Sequence, residues 1–393
     1  MKAGWQRSTI GNYCEVIAGQ SPEGKFYNSD GIGMPFYQGK KDFGDKFIKA
    51  PTTWTSETTK TARKGDILMS VRAPVGPINF ATEAVCIGRG LAAIRSKGQL
   101  DGDFLFYQLL HLQPEIAGKE GAVFASINKS EIGSLPISVG PLPEQYHIVA
   151  ILDEAFDGIA TAKANAEKNL QNARALFESH LQSVFTERGE GWEEEPLSEL
   201  CDIKHGYAFE GEFFSSEGDY VLLTPGNFYE KGGYRDRGEK QKYYIGAIPR
   251  DYVLNEGDLL VAMTEQAAGL LGSPILVPEA DKFLHNQRLG LVTKKPGAAW
   301  TNEFFFHVFN LQTVRKAIHA SASGVKVRHT SPTKIGQVVV AFPTSMQEQQ
   351  RIVAKLSSLA DETQRLESLY QQKLSALDDL KKSLLHQAFS GQL

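Results

Sequence analysis

The sequence predicts an α+β protein. Two repeated mixed α/β globules are joined by two long helices that pair as an antiparallel coiled coil with pseudo-two-fold symmetry. Three observations predict this. The landmarks of the chain occur twice. Two stretches of about forty residues lack proline and carry heptad-spaced apolar residues. The remainder breaks into short β-type runs bounded by glycine and proline.

The repeat comes first. Gly4-Trp5 returns as Gly191-Trp192, and Cys14, Gly19 and Gly24 return as Cys201, Gly206 and Gly211, all at an offset of 187. Gly65-Asp66 returns as Gly257-Asp258 at 192, and Arg89 and Gly98 return as Arg288 and Gly297 at 199. Gly121 and Ile132-Gly133 return as Gly324 and Ile335-Gly336 at 203, and Glu144-Gln145 returns as Glu348-Gln349 at 204. The offset only grows, so one scaffold was copied and its loops diverged.

The expected organisation is a first globule over 1–143, a long helix over 144–187, a charged linker over 188–195, a second globule over 196–344, and a second long helix with its tail over 345–393. Within the globules, Asp66–Val71, Leu91–Arg95, Pro136–Val139, Leu259–Met263 and Gln337–Phe342 read as strands. Phe104–Gly118 and Asn302–Ala320 read as one helix each. Pro143 sits just before the first long helix, where proline is tolerated.

The seam of the second long helix reads as Ile352, Leu356, Leu359, Leu366, Tyr370, Leu374 and Leu377, continuing to Leu380 and Leu384. Subtracting 204 gives Ile148, Leu152, Ala155, Ala162, Ala166, Leu170 and Ala173 on the first, continuing to Leu176 and His180. Small residues on one helix against Leu and Tyr on the other allow close interdigitation. Each helix would span roughly 60 Å. The competing arrangement has each helix capping its own globule, but neither globule could cover so long an amphipathic helix alone.

The composition is that of an ordinary globular chain, with 41% hydrophobic and 22% charged residues and a net charge of −4. No apolar stretch is long enough to span a membrane, the first ten residues do not form a secretory signal, and no membrane partner is expected. Three widely spaced cysteines, Cys14, Cys86 and Cys201, point to reduced thiols in a cytoplasmic protein. Whole-chain acidity does not favour nucleic acid, yet cations concentrate locally over 40–64, 231–250 and 324–334.

Motifs for chemistry fail on inspection. Gly19–Phe26 (GQSPEGKF) lacks the Ser or Thr that a phosphate loop places after its lysine to hold Mg²⁺. Gly88–Ala93 (GRGLAA) fits a dinucleotide fingerprint but is followed by a strand-like run rather than a helix, and reads as a tight strand entry. Ser126–Lys129 has acylase spacing without its companions. The nine histidines do not cluster with carboxylates, and no metal-ligand spacing occurs. Neither a catalytic residue, a cofactor site nor a metal site is expected.

The order globule, long helix, globule, long helix resembles the specificity subunit of type I restriction-modification systems. The matching segments are KGDILMSVRAPVG (Lys64–Gly76), INKSEIGSLPISVGPLPEQ (Ile127–Gln145), its second version at Ser331–Gln349, the EQxxIVA helix starts and the ending QAFSGQL. The resemblance implies that each globule is a target-recognition domain reading one half of a split, asymmetric site in double-stranded DNA. It implies that the coiled coil sets the gap between half-sites and that two methyltransferase subunits dock there. Motor-nuclease subunits would join for restriction, and S-adenosylmethionine, ATP and Mg²⁺ would belong to these partners. The second copy reads AMTEQAAG with Thr264 where Arg72 stands in the first, so the two globules should not read the same bases.

Phosphate contacts position such a protein and base-edge contacts specify its site. Candidate DNA-binding residues of the first globule are Lys40, Lys41, Thr58, Lys60, Arg63, Arg72 and Arg89. Those of the second are His205, Tyr207, Arg235, Arg237, Lys240, Gln266, Arg288, Lys326, Arg328 and His329. For the recurring Arg89 and Arg288, the other reading is a structural ion pair. The rival function is an interaction scaffold whose coiled coil carries two globules that bind ligands other than DNA.

Overall fold

A computed structural model describes residues 4–117, 126–265 and 269–390. The chain packs as two units. The first comprises residues 1–168 with 370–393, and the second comprises 169–369.

The first unit is built on an antiparallel sheet in the order Cys14–Ala18, Leu91–Ser96, Ile67–Ser70, Ile78–Phe80. The second repeats it as Cys201–His205, Leu289–Lys294, Leu259–Ala262, Pro274–Leu276. The strands Ile67–Ser70 and Leu259–Ala262 are wholly buried, and their near-continuous apolar runs follow from that. A smaller pair of strands seals each unit, Gln6–Thr9 with Pro136–Val139 and Trp192–Pro196 with Val339–Pro343. The segment 188–195, expected as a linker, is therefore one only over its first half. Glu193 and Glu194 are exposed and Glu195 is half-buried on this edge strand, so it reads as a solvated run.

A five-stranded sheet over residues 27–87 completes the first unit, and a four-stranded one over 214–284 completes the second. Cys14 and Cys201 are both buried at the start of equivalent strands. Burial pushes both thiols up to about 12, so neither is a reactive thiolate.

The stretch expected as one helix over Asn302–Ala320 is two, Asn302–Asn310 and Gln312–Ser321. Leu311 between them is extended (φ −61°, ψ 135°) and buried. The bend lets Phe304, Phe305, Val308 and Phe309 on one side and Val314 and Ile318 on the other reach the same core. The first unit uses an unbroken helix there, Gly102–Ile116, capped by Asp101.

The long helices run over Leu142–Thr186 and Met346–Ser390. A buried glutamine fastens the start of each. Gln145 accepts a hydrogen bond from Asp101 N (2.8 Å) and donates to the carbonyls of Gln99 and Gly140. Gln349 accepts from Thr301 N (2.9 Å) and donates to the carbonyls of Ala299 and Pro343. The repeated Glu-Gln pair is thus an anchor of helix to globule.

Each unit's core takes residues from both long helices. Ile148 and Leu152 join Leu385 and Ala388 in the first, and Leu181 and Phe185 join Ile352 and Leu356 in the second. Each long helix therefore starts in the core of one unit and ends in the core of the other. The pairing is antiparallel. Lys163 bonds Asp378 in the first unit, and Arg174 Nε donates to Glu367 (2.9 Å) in the second.

Of the expected seam residues, Ile148, Leu152, Ala166, Leu170, Ala173, Ile352 and Leu356 are buried. Ala155, Ala162, Leu359, Leu366, Tyr370, Leu374 and Leu377 are half-buried at its margin. The continuation is corrected. Leu176 and Leu380 are about half exposed, and the inward positions are Phe177 and Lys381. From there the seam continues to Leu181 and Phe185 on the first helix and to Leu385 and Ala388 on the second. A straight helix has 3.6 residues per turn and drifts about 20° per heptad against a strict 3.5 repeat, so the extrapolated heptad slips one residue. Lys381 was overlooked because it is charged, but its ammonium lies 4.7 Å from the Phe156 ring centre and its stem covers the seam.

The repeat also explains a cavity of about 400 Å³ within the second unit. Phe156 and Ile159 of the first helix correspond to Ala360 and Thr363 of the second at the offset of 204. Phe156 packs edge-on against Tyr107 (5.3 Å) in the first unit. In the second, Ala360 and Thr363 line open space with Phe177, His307 and Arg315. Thr363 Oγ1 and Arg315 Nη1 are buried there without a hydrogen-bond partner.

Candidate nucleic-acid interface

Three cations of the first unit that the sequence singles out meet in one cleft of about 500 Å³: Lys40, Arg72 and Arg89. Ser21, Tyr27, Gln38 and Ser70 share its wall, which carries no acidic side chain among the described residues. All three cations are exposed.

Local chemistry places each one. Arg72 follows the buried strand Ile67–Ser70, and Ser70 Oγ is within bonding distance of the Arg72 (3.2 Å) and Pro74 (3.0 Å) carbonyls. Val71 is pinned on both sides, its N–H on Gly90 O (2.9 Å) and its carbonyl on Ile127 N (3.0 Å). Arg89 sits at the tip of the turn from Gly88 to Leu91, and its N–H reaches Ser21 Oγ (3.3 Å). The turn needs its glycines because a Cβ on Gly90 would lie 2.3 Å from Gln38 O. The GRG sequence is therefore a close backbone crossing, as the strand-entry reading expects, and Lys40 begins the single turn Lys40–Asp42 just past Gln38 and Gly39.

Lys41, Thr58, Lys60 and Arg63 are exposed but do not line this cleft. Lys60 lends its carbonyl to Ile87 N (2.8 Å), and Arg63 N is held by Asp66 (2.7 Å). Lys46, in the same basic window, serves structure, bonding Asp103 (3.0 Å) and Asp153 (2.8 Å). The sequence reading missed Ser21, Tyr27 and Gln38, and their position beside the repeated Gly19 and the basic run was the available signal.

Gly19 crosses the same turn, and a Cβ on it would lie 2.2 Å from Gly88 O. In the second unit Gly206 repeats Gly19, and a Cβ on Gly206 would lie 2.2 Å from Asn286 O. This brings the Tyr207 backbone against the loop that carries Arg288: Tyr207 N donates to His285 O, Gln287 N donates to Tyr207 O, and Arg288 N donates to Asn286 Oδ1. The Tyr207 ring packs on Phe209 and Tyr252 (5.1 and 5.3 Å), and His205 ends the strand just before it, exposed. His285 beneath this loop is fully buried, and burial pulls its pKa down to about 4. Neither Arg89 nor Arg288 forms an ion pair with another described residue, and both are exposed on the crossing loops.

Arg235 and Arg237 lie on a loop organised by Asn227, which bonds the Arg235 carbonyl and the Gln241 side chain. Arg235 stacks near Tyr229 (5.9 Å), Arg237 packs on Gly226, and Lys240 is exposed. Arg328 is turned inward: Nη2 donates to His319 O (2.6 Å) and Nη1 is 3.7 Å from Glu265. It holds the hairpin whose exposed members include Lys326 and His329. Gln266 lies outside the described residues.

One exchange links the units. Arg72 bridges Ser126 in the first unit, and Thr264 bridges His329 in the second. These are the same positions in the repeat, at offsets of 192 and 203. The basic group has crossed from one segment of the bridge to the other.

The comparisons with known proteins agree with this architecture. The family model described as "Type I restriction modification DNA specificity domain" matches residues 2–171 and 189–375. A type I restriction enzyme MjaX specificity subunit of Methanocaldococcus jannaschii is 40% identical over 174 residues, 43% of this chain and 40% of that protein. The EcoBI specificity subunit of Escherichia coli is 25% identical over 236 residues, 60% of this chain and 44% of that protein. The match thus spans less than half the length of either relative.

A chain from a structure of a type I restriction-modification system, described for its complex assembly and conformational transition, superposes with a TM-score of 0.80 at 18% identity. The superposition covers 100% of this chain and 99% of that one. The HsdS subunit of Thermoanaerobacter tengcongensis gives 0.63 at 17% identity, covering 100% and 98%. These two likenesses concern the fold. With the family's domain matched twice along it, the chain belongs to the type I restriction modification DNA specificity domain family.

Proposed function

We propose that the chain is the DNA-recognition subunit of a type I restriction-modification complex. Each duplicated globule reads one half of a bipartite, asymmetric site, and the paired long helices set the gap. The observation that carries this reading is the acid-free cleft of Lys40, Arg72 and Arg89, beside the Gly19–Gly88 backbone crossing that the second globule repeats as Gly206–Asn286 next to Arg288. Exposed cations on a rigid crossing suit phosphate and guanine contacts, since arginine presents two parallel donors to a guanine edge. The Arg72–Ser126 to Thr264–His329 exchange gives the globules different donors at one position and so different target bases.

The chain performs no catalysis of its own in this proposal. Two methyltransferase subunits dock along the long helices and carry S-adenosylmethionine. Motor-nuclease subunits with ATP and Mg²⁺ join them, in the cytoplasm. The test is reconstitution with the cognate methyltransferase and mapping of methylated bases on random-sequence DNA. A split site is expected, and binding should weaken steeply with salt. Methylation of a continuous site overturns the bipartite reading, and no salt-dependent binding to duplex DNA overturns DNA recognition in favour of a scaffold.

A further inference from the structure

We infer that two ion pairs on the long helices form a charge code that makes each helix the partner of the other and rejects a second copy of itself. The pairs are Lys163 with Asp378, within the first unit, and Arg174 with Glu367, within the second. Both pairs of residue numbers add to 541, so both belong to one antiparallel register. The repeat offset of 204 carries Lys163 onto Glu367 and Arg174 onto Asp378. At two equivalent positions, then, the first helix holds both cations and the second both anions.

The consequence is specific. If two first helices paired in the equivalent register, Lys163 of one copy would face Arg174 of the other. If two second helices paired, Glu367 would face Asp378. Each wrong pairing sets like charges together twice over, and flanking charges are known to choose partners in coiled coils in this way. Hydrogen bonding to Lys163 already holds the Asp378 carboxyl below its usual range.

Seam volumes point the same way independently. Ala162, Ala166 and Ala173 of the first helix correspond to Leu366, Tyr370 and Leu377 of the second. Two first helices would leave gaps between alanines, and two second helices would crowd tyrosine against leucine.

The test uses the full chain. The exchange K163E/E367K sets like charges across both intramolecular contacts and opposite charges across the contacts each helix makes with its own copy. We expect a lowered Tm at 20 mM salt, with a deficit that shrinks at 0.5 M. We also expect a dimer that grows with protein concentration in sedimentation velocity, where the parent stays monomeric. The full reversal K163E/R174E/E367K/D378K should return both Tm and monomer state to those of the parent. A reversal that melts no higher than K163E/E367K overturns the code, as does a K163E/E367K variant that melts like the parent or stays monomeric at every concentration. None of these readouts depends on DNA recognition, so the code and the proposed function fail separately.

Discussion

Arg72 and Thr264 occupy one position of a duplicated scaffold, and so do Ser126 and His329. Recognition should therefore be separable at the level of the single residue. Arg72→Ala and Arg89→Ala should each weaken binding to the cognate site by about 1–3 kcal/mol where the contact is to a base edge. Where it is to a phosphate, the slope of log K against log salt should fall by about one. Filter binding across a salt series separates the two cases, and an unchanged affinity and slope for both variants would remove the cleft from the interface.

Thr363 makes a different prediction. Its hydroxyl is buried and unpaired, and its repeat counterpart is Ile159. Thr363→Ile should stabilise the protein by about 1 kcal/mol, read by urea denaturation, because it removes an unsatisfied donor and fills space.

Two buried histidines set an acid limit. Desolvation pulls His285 and His307 down to about 4, while their unfolded value is near 6.5. Between those values the unfolded chain binds more protons than the folded one, so stability is full above about 6.5 and is lost as pH falls towards 4. Tm should drop on the order of 5 °C or more between pH 7.5 and pH 5. His307→Phe should flatten that slope if its neutral ring is the cause.

Among the elements, the glutamine anchors were legible as a repeated pair but not as anchors, because a sequence cannot say that Gln145 will meet three backbone groups from two segments. Gln145→Ala or Gln349→Ala would orphan those groups in a buried site and should cost about 3 kcal/mol in urea unfolding. Strands and long helices were legible because burial imposes periods of two and 3.6 on the chain. The seam was legible until accumulated drift moved it past Leu176 and Leu380, and the bend at Leu311 left no mark because no glycine or proline announces it. Cleft membership was half legible. Charge and repetition singled out Arg72 and Arg89, whereas Ser21 and Gln38 join them through a crossing of backbones that no local pattern encodes. The helices also give a ruler to test. Four residues inserted after Ala166 and four after Tyr370 lengthen the paired rod by ~6 Å, which should widen the gap by about two base pairs at ~3.4 Å each. Unchanged spacing in methylation mapping would count against the ruler.

At the level of the whole molecule, the duplication predicts independence. Replacing residues 1–143 with the corresponding globule of a relative should change one half-site and leave the other, read by the same mapping. The junction is chosen in front of the Gln145 anchor, and a change in both halves would show that the globules read jointly.

The first unit borrows residues 370–390 from a helix that leaves the ribosome some two hundred positions after residue 168. At roughly 5–20 residues per second, the surface that Leu385 and Ala388 will cover waits on the order of 10–40 s in the open. During that interval Leu152 and Phe104 belong to an unfinished body. Chaperone demand and proteolytic loss during synthesis should therefore concentrate on the half of the protein that is made first.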